Sequence, residues 1–199
     1  RSWDPSIPWR AVSGDRLLEL GCIQVLDLAH NVERIGLPVR DLHGHLYGYT
    51  CRALNPVDAE PKYAPLAPVG VDWRDKELPV KKALFLLDQA LKGGWDQVVL
   101  TEGPYDALHL WNVGIPALAI LGAGNWNEIK ASIIAGAGIQ VVWVMMDNDN
   151  AGHLANDKVS ESLSSVGLSA KVMGLPAGVK DPGGMSEKQL NWLKRQLGI

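Results

Sequence analysis

The sequence predicts an α/β fold in which a parallel sheet flanked by helices follows a smaller α+β part. From about residue 97, short apolar runs alternate with helical patterns, as they do in a parallel sheet covered by helices. Residues 40–52 differ, because apolar residues there alternate with glycine and histidine as in antiparallel hairpins. We therefore expect three parts: an N-terminal α+β subdomain at 1–94, the parallel-sheet domain at 95–185 and a C-terminal helix at 186–199.

The elements of the second half each have a local signature. Apolar, β-branched runs between turn residues predict four strands, at 97–102, 116–121, 140–146 and 169–175. Helical periodicity predicts helices at 106–113, 127–135 and 150–166. Gly167 follows the last of these, at a position that favours left-handed backbone. Ser186 and Gln189 form a capping-box pattern that predicts the start of the final helix.

The first half is less regular. Residues 83–91 are predicted to form a helix that leads to Gly93-Gly94, the expected junction between the two halves. Residues 55–79 carry five prolines and are expected to be irregular. The eight tryptophans include Trp3, Trp9 and Trp73, for which core filling or contact with a neighbouring domain is favoured over base stacking.

Composition limits the class of protein. With 199 residues, 47% of them hydrophobic, the chain can bury the core of one large or two small domains. The net charge is −3, whereas a freestanding binder of duplex nucleic acid is usually basic. Any contact with nucleic acid must therefore be local, mediated by metal or reinforced by other domains, and we expect weak binding by this chain alone.

The cellular setting is predicted from what the chain contains. Cys22 and Cys51 stand far apart without a zinc-binding pattern, so a reducing cytoplasm is expected. No apolar stretch approaches the ~20 residues of a membrane span, so no membrane contact is expected. The chain begins with Arg rather than Met, from which we expect a fragment of a longer protein.

Two apolar runs of the second half end in acidic residues. Glu102 follows the first predicted strand, and Asp147 and Asp149 follow the third. Because the carboxyl ends of parallel strands meet at one edge of a sheet, these three side chains should meet there. Gathered carboxylates repel one another unless a hard cation lies between them, and Mg²⁺ accepts such oxygens while keeping waters for substrate phosphates. The pattern indicates phosphoryl-transfer chemistry on metal ions.

Each acid also has a structural explanation. Glu102 could be a solvated loop residue, and Asp149 or Asn150 could cap a helix. Asp106, in the first turn of a helix, is favoured there by the helix dipole. Two acids after six apolar residues are hard to explain by capping alone, so metal binding is favoured for Asp147 and Asp149. Gly152 is expected to permit close packing rather than to take part in chemistry.

These residues resemble the TOPRIM domain, a metal-binding core shared by bacterial-type primases, topoisomerases and several nucleases. The matching segments are Glu102-Gly103 with Asp106, the Asp147 and Asp149 pair with Ala151-Gly152 behind it, and Lys180-Asp181-Pro182. Upstream, residues 35–49 together with Arg52 and Lys62 are similar to the DnaG-type primase. The resemblance covers roughly residues 34–182. It departs from the family at Asn148, where glycine is usual, and at Ala64-Pro65, where Leu-Asn is common.

The resemblance implies a TOPRIM-type fold and the RNA-polymerase core of a DNA primase, a nucleotidyltransferase that makes RNA primers for DNA replication. The family that the chain resembles includes the primases of phages and mobile elements. Glu102, Asp147 and Asp149 would be the catalytic residues and, together with Asp106 and Asp181, the ligands of Mg²⁺ or Mn²⁺. The residues implied in nucleotide or template binding are Arg52, Lys62, Lys81 and Lys180, although basic residues are more often simply solvated. The implied partners are single-stranded DNA, ribonucleoside triphosphates, and a zinc-binding domain and a replicative helicase outside this chain.

Two other functions stay open. In a TOPRIM nuclease the same carboxylates would activate water, but the upstream half resembles a primase instead. A non-catalytic nucleic-acid-binding module of a replication complex would have no need of three uncompensated carboxylates. A topoisomerase would require a tyrosine nucleophile on a separate large domain, which nothing in the sequence indicates.

Overall fold

The computed structural model describes residues 1–28, 30–55, 62–66 and 79–199, without the side chains of residues 79 and 81. The chain divides into two compact units, residues 1–83 and residues 84–199. Trp73 and most of the predicted irregular stretch at 55–79 lie outside the described residues. In the part that is described, no helix is both long and apolar enough to cross a membrane.

The first unit is built on an antiparallel sheet. Its elements are α1 (Gly14–Leu20), β1 (Ile23–Asp27), β2 (Val32–Arg40), β3 (Leu46–Ala53), β4 (Tyr63–Pro65) and α2 (Pro79–Lys82). The strands are ordered β1-β2-β3-β4. Ile35, Leu37 and Val39 alternate along β2 and are fully buried, so this strand forms the centre of the core. The predicted hairpin is confirmed as β2 and β3, with Leu37 opposite Thr50.

The second unit contains the predicted parallel sheet. Its elements are α3 (Leu87–Lys92), β5 (Gln97–Thr101), α4 (Pro104–Asn112), β6 (Ala117–Ala119), α5 (Glu128–Gly136), β7 (Val141–Val144), α6 (Asn150–Ser165), β8 (Ser169–Val172) and α7 (Glu187–Leu197). The strands run parallel in the order β6-β5-β7-β8. The predicted strands and helices are all present, although each strand is shorter than its apolar run. The predicted α/β fold class is confirmed.

Alternation along the strands divides the core of this unit between the two faces of the sheet. Val98 and Leu100 of β5, with Val142 and Val144 of β7, belong to a buried cluster that includes residues of α5 and α6. On β5 the intervening residues Val99 and Thr101 point to the opposite face, and α4 packs against β5 and β6. The sheet is thus covered by helices, which leaves the carboxyl ends of its strands for a site.

The predicted helix over residues 83–91 is wrong in its first half. Phe85 pairs with Ala119 as an antiparallel bridge, with N–H···O distances of 3.0 and 3.2 Å between their backbones. Leu86 has a φ of 65°, which ends any helical continuation, and α3 begins only at Leu87. Phe85 is fully buried, so edge pairing and burial at β6 override the local helical pattern.

The division between the units accordingly falls between Ala83 and Leu84, before the predicted junction at Gly93-Gly94. Leu84, Leu87 and Ala90 pack in the core of the parallel-sheet unit. The final helix belongs to the same unit, because Gln97 Nε2 donates a hydrogen bond of 3.0 Å to Leu197 O. Its predicted capping box is confirmed, with Ser186 N donating to Gln189 Oε1 at 2.8 Å.

Candidate metal centre

The carboxyl ends of β5 and β7 place the candidate acids at one edge of the sheet. The two strands are neighbours, with Leu100 opposite Val144, and Met145 N donates to Leu100 O at 2.9 Å. Glu102 lies directly beyond β5, and its backbone oxygen accepts from Gly122 N at 3.1 Å. Asp147 follows β7 at the same edge, so the structure brings together the acids that the sequence predicted to meet.

The loop from Asp147 to Asp149 is shaped by the start of α6. Asp149 is the N-cap residue, and its Oδ1 accepts from Gly152 N at 2.8 Å. The capping role and the metal-binding role are therefore not exclusive, since an exposed carboxylate has a second oxygen. A Cβ at Gly152 would lie 2.0 Å from Asp147 O, so only glycine lets the helix begin this close to the loop. The predicted packing role of Gly152 is confirmed.

Asp147 combines partial burial with electrostatic crowding. Burial is the main cause that raises the pKa of Asp147 to about 6, followed by the negative charges of Glu102, Asp181 and Asp149. Lys180 acts in the opposite direction. Asp147 Oδ1 is buried and has no hydrogen-bond partner among the described residues. A buried carboxylate oxygen that has no donor, beside three other acids, is the environment that a cation would stabilise.

Asp106 ties two loops together. Its Oδ2 accepts from Gly103 N, the N-cap amide of α4, at 3.1 Å, and its Oδ1 accepts from Gly183 N at 3.0 Å. Burial raises the pKa of Asp106 to about 7, with further contributions from the charges of Asp181 and Asp147. Both oxygens of Asp106 thus hold backbone groups, and its predicted role as a metal ligand stays a prediction.

Asn148, the departure from the family pattern, makes contacts that the sequence did not indicate. Its backbone N donates to Lys180 O at 2.7 Å, and its Nδ2 donates to Val179 O at 3.3 Å. These two bonds hold the segment with Lys180 and Asp181 next to the acidic pair. A glycine would keep the first bond and lose the second. No local pattern could have revealed a contact between residues so far apart in the chain.

The donor set fits a hard divalent cation. Within the described ranges, no three carboxylate, imidazole or thiol groups lie close enough together to form a complete metal cage. Mg²⁺ rarely uses such a cage, because it keeps several waters and is bound by one or two carboxylates together with substrate phosphates. Asp147 with its unpartnered oxygen, and Glu102, Asp149 and Asp181 around it, match that mode of binding.

The comparisons with known proteins agree with this edge of acids. Residues 99–185 match the family model described as Toprim-like. This part of the chain is therefore similar to Toprim-like domains. The matched range contains every acid predicted to lie at or near the metals, namely Glu102, Asp106, Asp147, Asp149 and Asp181.

The curated relatives that match most of the chain are DNA primases. The DNA primase of Deinococcus radiodurans is 30% identical over 183 residues, which cover 87% of this chain and 30% of that protein. The DNA primase of Myxococcus xanthus is 28% identical over 152 residues, covering 73% of this chain and 23% of that protein. The chain therefore spans less than a third of the length of the curated relatives it matches. The predicted resemblance to primases is confirmed.

Solved structures show the same fold. The Aquifex aeolicus primase, with zinc-binding and RNA polymerase domains, superposes with a TM-score of 0.67 at 22% identity over 94% of this chain and 46% of that one. A DnaG primase catalytic domain bound to single-stranded DNA gives 0.65 at 24% identity, covering 83% and 51%. The primase fragment of the bacteriophage T7 primase-helicase protein gives 0.60 at 20% identity, covering 95% and 70%. The predicted TOPRIM-type fold is confirmed.

The predicted basic residues lie in different parts of the molecule. Lys180 is exposed beside the acids of the second unit, whereas Arg52 and Lys62 belong to the first unit. The Arg52 guanidinium lies 4.6 Å from the ring centre of Tyr63, and its buried Nε has no hydrogen-bond partner in the described part of the chain. Lys62 is exposed, and the side chain of Lys81 lies outside the described residues. Trp3 and Trp9 are buried, as the core-filling prediction requires.

Proposed function

We propose that this chain is the catalytic core of a DNA primase, which synthesises short RNA primers on single-stranded DNA by nucleotidyl transfer with divalent metal ions. One observation carries the proposal: Asp147 has a buried oxygen without a hydrogen-bond partner and lies among Glu102, Asp149 and Asp181 at the sheet edge of a Toprim-like domain. The similarity to DNA primases over most of the chain supports primer synthesis as the reaction.

Glu102, Asp147 and Asp149 would hold Mg²⁺ or Mn²⁺. When bound, the ions would favour the deprotonated 3′-hydroxyl of the primer and neutralise charge on the triphosphate. In the reaction, the 3′-oxygen attacks the α-phosphate of the incoming ribonucleotide, and pyrophosphate leaves. Asp106 would keep the two loops of the site in register through Gly103 and Gly183. Asp181 would complete the acidic shell.

The basic residues would handle phosphates. Lys180, exposed beside the acids, is suited to the triphosphate because an ammonium group acts as a mobile point charge. Arg52 offers a planar fork of donors that its stacking on Tyr63 pre-orients, so we assign it with Lys62 and Lys81 to the nucleotide or template backbone.

The proposed partners follow from the reaction and from the relatives. The substrates are ribonucleoside triphosphates and a single-stranded DNA template. A zinc-binding domain accompanies the polymerase domain in the A. aeolicus structure, and the T7 fragment comes from a primase-helicase protein. We therefore propose that a zinc-binding domain and a replicative helicase work with this core in the cytoplasm.

Incubating the protein with single-stranded template, labelled ribonucleotides and Mg²⁺ or Mn²⁺ tests the proposal. We expect short labelled products that depend on the metal and disappear in Asp147→Asn. Asp157→Asn is the matched control, because Asp157 is an exposed carboxylate on α6. Shortening of the template without incorporation would identify a nuclease instead. Binding of template with neither reaction would identify a non-catalytic module.

A further inference from the structure

A groove of about 560 Å³ lies between the segment after β8 and the helix α7. Gly174 and Pro176 form one wall, and the other consists of side chains from α7. Lys188, Trp192 and Arg195 are spaced by four and three residues, so they share one face of the helix. The described residues that line the groove all belong to the second unit, and none of them is an acid of the sheet edge.

The charge of this groove differs from that of the chain. Its charged lining residues, Lys188 and Arg195, are both basic, although the protein carries a net charge of −3. Among the described residues neither of them has an ion-pair partner. A second groove, of about 690 Å³ between α5 and α6, has mixed charges from Glu128, Lys158 and Glu161. The first groove therefore favours an anion, and the second does not.

Trp192 indicates which kind of anion the groove binds. It is half-buried, so its ring is held in place while part of it faces the groove. Proteins that bind single-stranded nucleic acid combine two features. Cationic side chains contact the phosphate backbone, and an aromatic ring stacks on a base. In a duplex, the paired and stacked bases would not be available to the ring. Gln189 and Ser186 add polar groups to the same wall.

The groove is connected to the acidic edge at both of its walls. Val179 N donates to Pro176 O at 3.0 Å, and Lys180 O accepts from Asn148 N at 2.7 Å, so the first wall is one turn from the acidic loop. The second wall begins at Ser186, just beyond the turn at Pro182–Gly184 that Asp106 holds through Gly183 N. A single strand of nucleic acid in the groove would thus run alongside the loop that carries Lys180 and Asp181.

We propose that this groove binds the single-stranded DNA template, with Lys188 and Arg195 on phosphates and Trp192 stacked on a base. The identity of the strand rests on the proposed primase function, because the template is the long strand present before any primer exists. The binding of single-stranded nucleic acid rests on the groove itself.

Fluorescence anisotropy of a labelled oligodeoxythymidylate, measured in EDTA across a salt series, tests the proposal without catalysis. Each phosphate contact contributes about 0.7 to the slope of log K against log salt for a single strand, so the double variant Lys188→Gln with Arg195→Gln should lower the slope by about 1.4. Trp192→Leu should weaken binding about tenfold and leave the slope unchanged, whereas Trp192→Phe should retain most of the affinity.

Two controls lie outside the groove. Lys158→Gln removes an exposed cation from the mixed-charge groove, and Trp95→Leu removes a tryptophan that is 38% exposed. Both should bind like wild type. Unchanged binding in the Lys188, Arg195 and Trp192 variants would overturn the proposal, as would equal competition by duplex DNA. Tighter binding of an oligouridylate than of the DNA oligomer would overturn the assignment to the template.

The two proposals fail separately. If wild type makes no primers but the groove variants lose oligonucleotide binding, the primase function is wrong and the groove stands as a single-strand site. If primers form and the groove variants bind normally, the primase function stands and the groove assignment is wrong.

Discussion

Burial shifts the pKa of charged side chains both at the acidic edge and on α5 of the parallel-sheet unit, and the surroundings of the two places differ. At the acidic edge, burial and like charges raise the pKa of Asp147 to about 6, and Asp147 Oδ1 has no hydrogen-bond partner. On α5, burial alone lowers the pKa of Lys130 to about 7, and its Nζ donates to Ile120 O at 2.7 Å. Lys130 is fully buried with no charged neighbour that contributes to this shift.

Comparing the acidic edge with Lys130 shows which features distinguish a reaction site from a buried charge with a structural role. A shifted pKa is common to both places, so it does not separate them. The acidic edge combines several like charges that are costly together with an oxygen left without a donor, and a cation relieves both costs. Lys130 is a single ammonium whose hydrogen bond satisfies a strand-end carbonyl, and its stem fills space in the core. We therefore propose a structural role for Lys130 and a metal-binding role for the acids.

The largest expected effect comes from removing the carboxylate at the centre of the acidic edge. Asp147→Asn should reduce metal-dependent primer synthesis by more than about 100-fold, since changes to groups that only support metal ligands already cost roughly 10 to 100-fold. The metal-free variant should be at least as stable as wild type, because one member of a repelling cluster becomes neutral. Primer synthesis and urea unfolding measure the two effects. Unfolding like a core deletion, or full activity, would contradict the ligand assignment.

The backbone beneath the acids gives the next effect. Gly152→Ala should destabilise the protein by about 3 kcal/mol, because the added Cβ would meet Asp147 O at 2.0 Å and the helix start must move. Gly136→Ala is the control, since a Cβ on this helical glycine meets nothing within 4 Å and should stabilise α5 by about 0.5–1 kcal/mol. Chemical denaturation compares them. Equal stabilities would show that the loop can adjust freely.

Lys130 should have a smaller effect, visible in the pH dependence. Its pKa in the folded protein is below that of the unfolded chain, so the unfolded state binds more protons between pH 7 and 10 and stability should rise with pH, by about 1 kcal/mol per pH unit. Burial raises the pKa of Cys22 and Cys51 to about 12, which acts in the opposite direction above about pH 9.

The contribution of Lys130 to the pH dependence is therefore measured by comparing two variants. Lys130→Met should lose the rise that wild type shows, whereas Lys158→Met, at an exposed position of the neighbouring helix α6, should keep it. Urea unfolding at each pH provides the free energies. If Lys130→Met follows the wild-type profile, the ammonium is not neutralised by burial.

The acidic edge should respond to pH in the opposite sense, because burial and like charges raise the pKa of Asp106 and Asp147, whereas burial lowers that of Lys130. The pKa values of Asp106 and Asp147 are raised above those of the unfolded chain, so metal-free stability should fall as pH rises from about 4 to 7. Added Mn²⁺ should stabilise more at pH 8 than at pH 5, since it displaces protons. Thermal unfolding of wild type and Asp147→Asn tests this: a metal effect that survives in the variant would place the ion elsewhere.

The sequence alone predicts the strands and helix ends that depend on neighbouring residues in the chain. The strands of the second unit follow from apolar runs between turns, and the helix starts at Asn127, Asp149 and Ser186 follow from capping residues. The edge on which Glu102, Asp147 and Asp149 gather followed from the parallel direction of the strands that these residues end, because parallel strands have their carboxyl ends at one edge. These inferences need only the residues within a few positions of each element.

Tertiary structure decided what depends on residues far apart in the chain. Phe85 leaves the predicted helix because β6 offers it a partner at Ala119, and the buried Lys130 finds a hydrogen-bond partner at Ile120, directly after β6. Asn148 holds Val179 and Lys180 beside the acids, and Asp147 Oδ1 lacks a donor only because of how those loops close. The spacing of residues predicts which acids can meet, but their burial, charges and hydrogen bonds arise only when the chain packs.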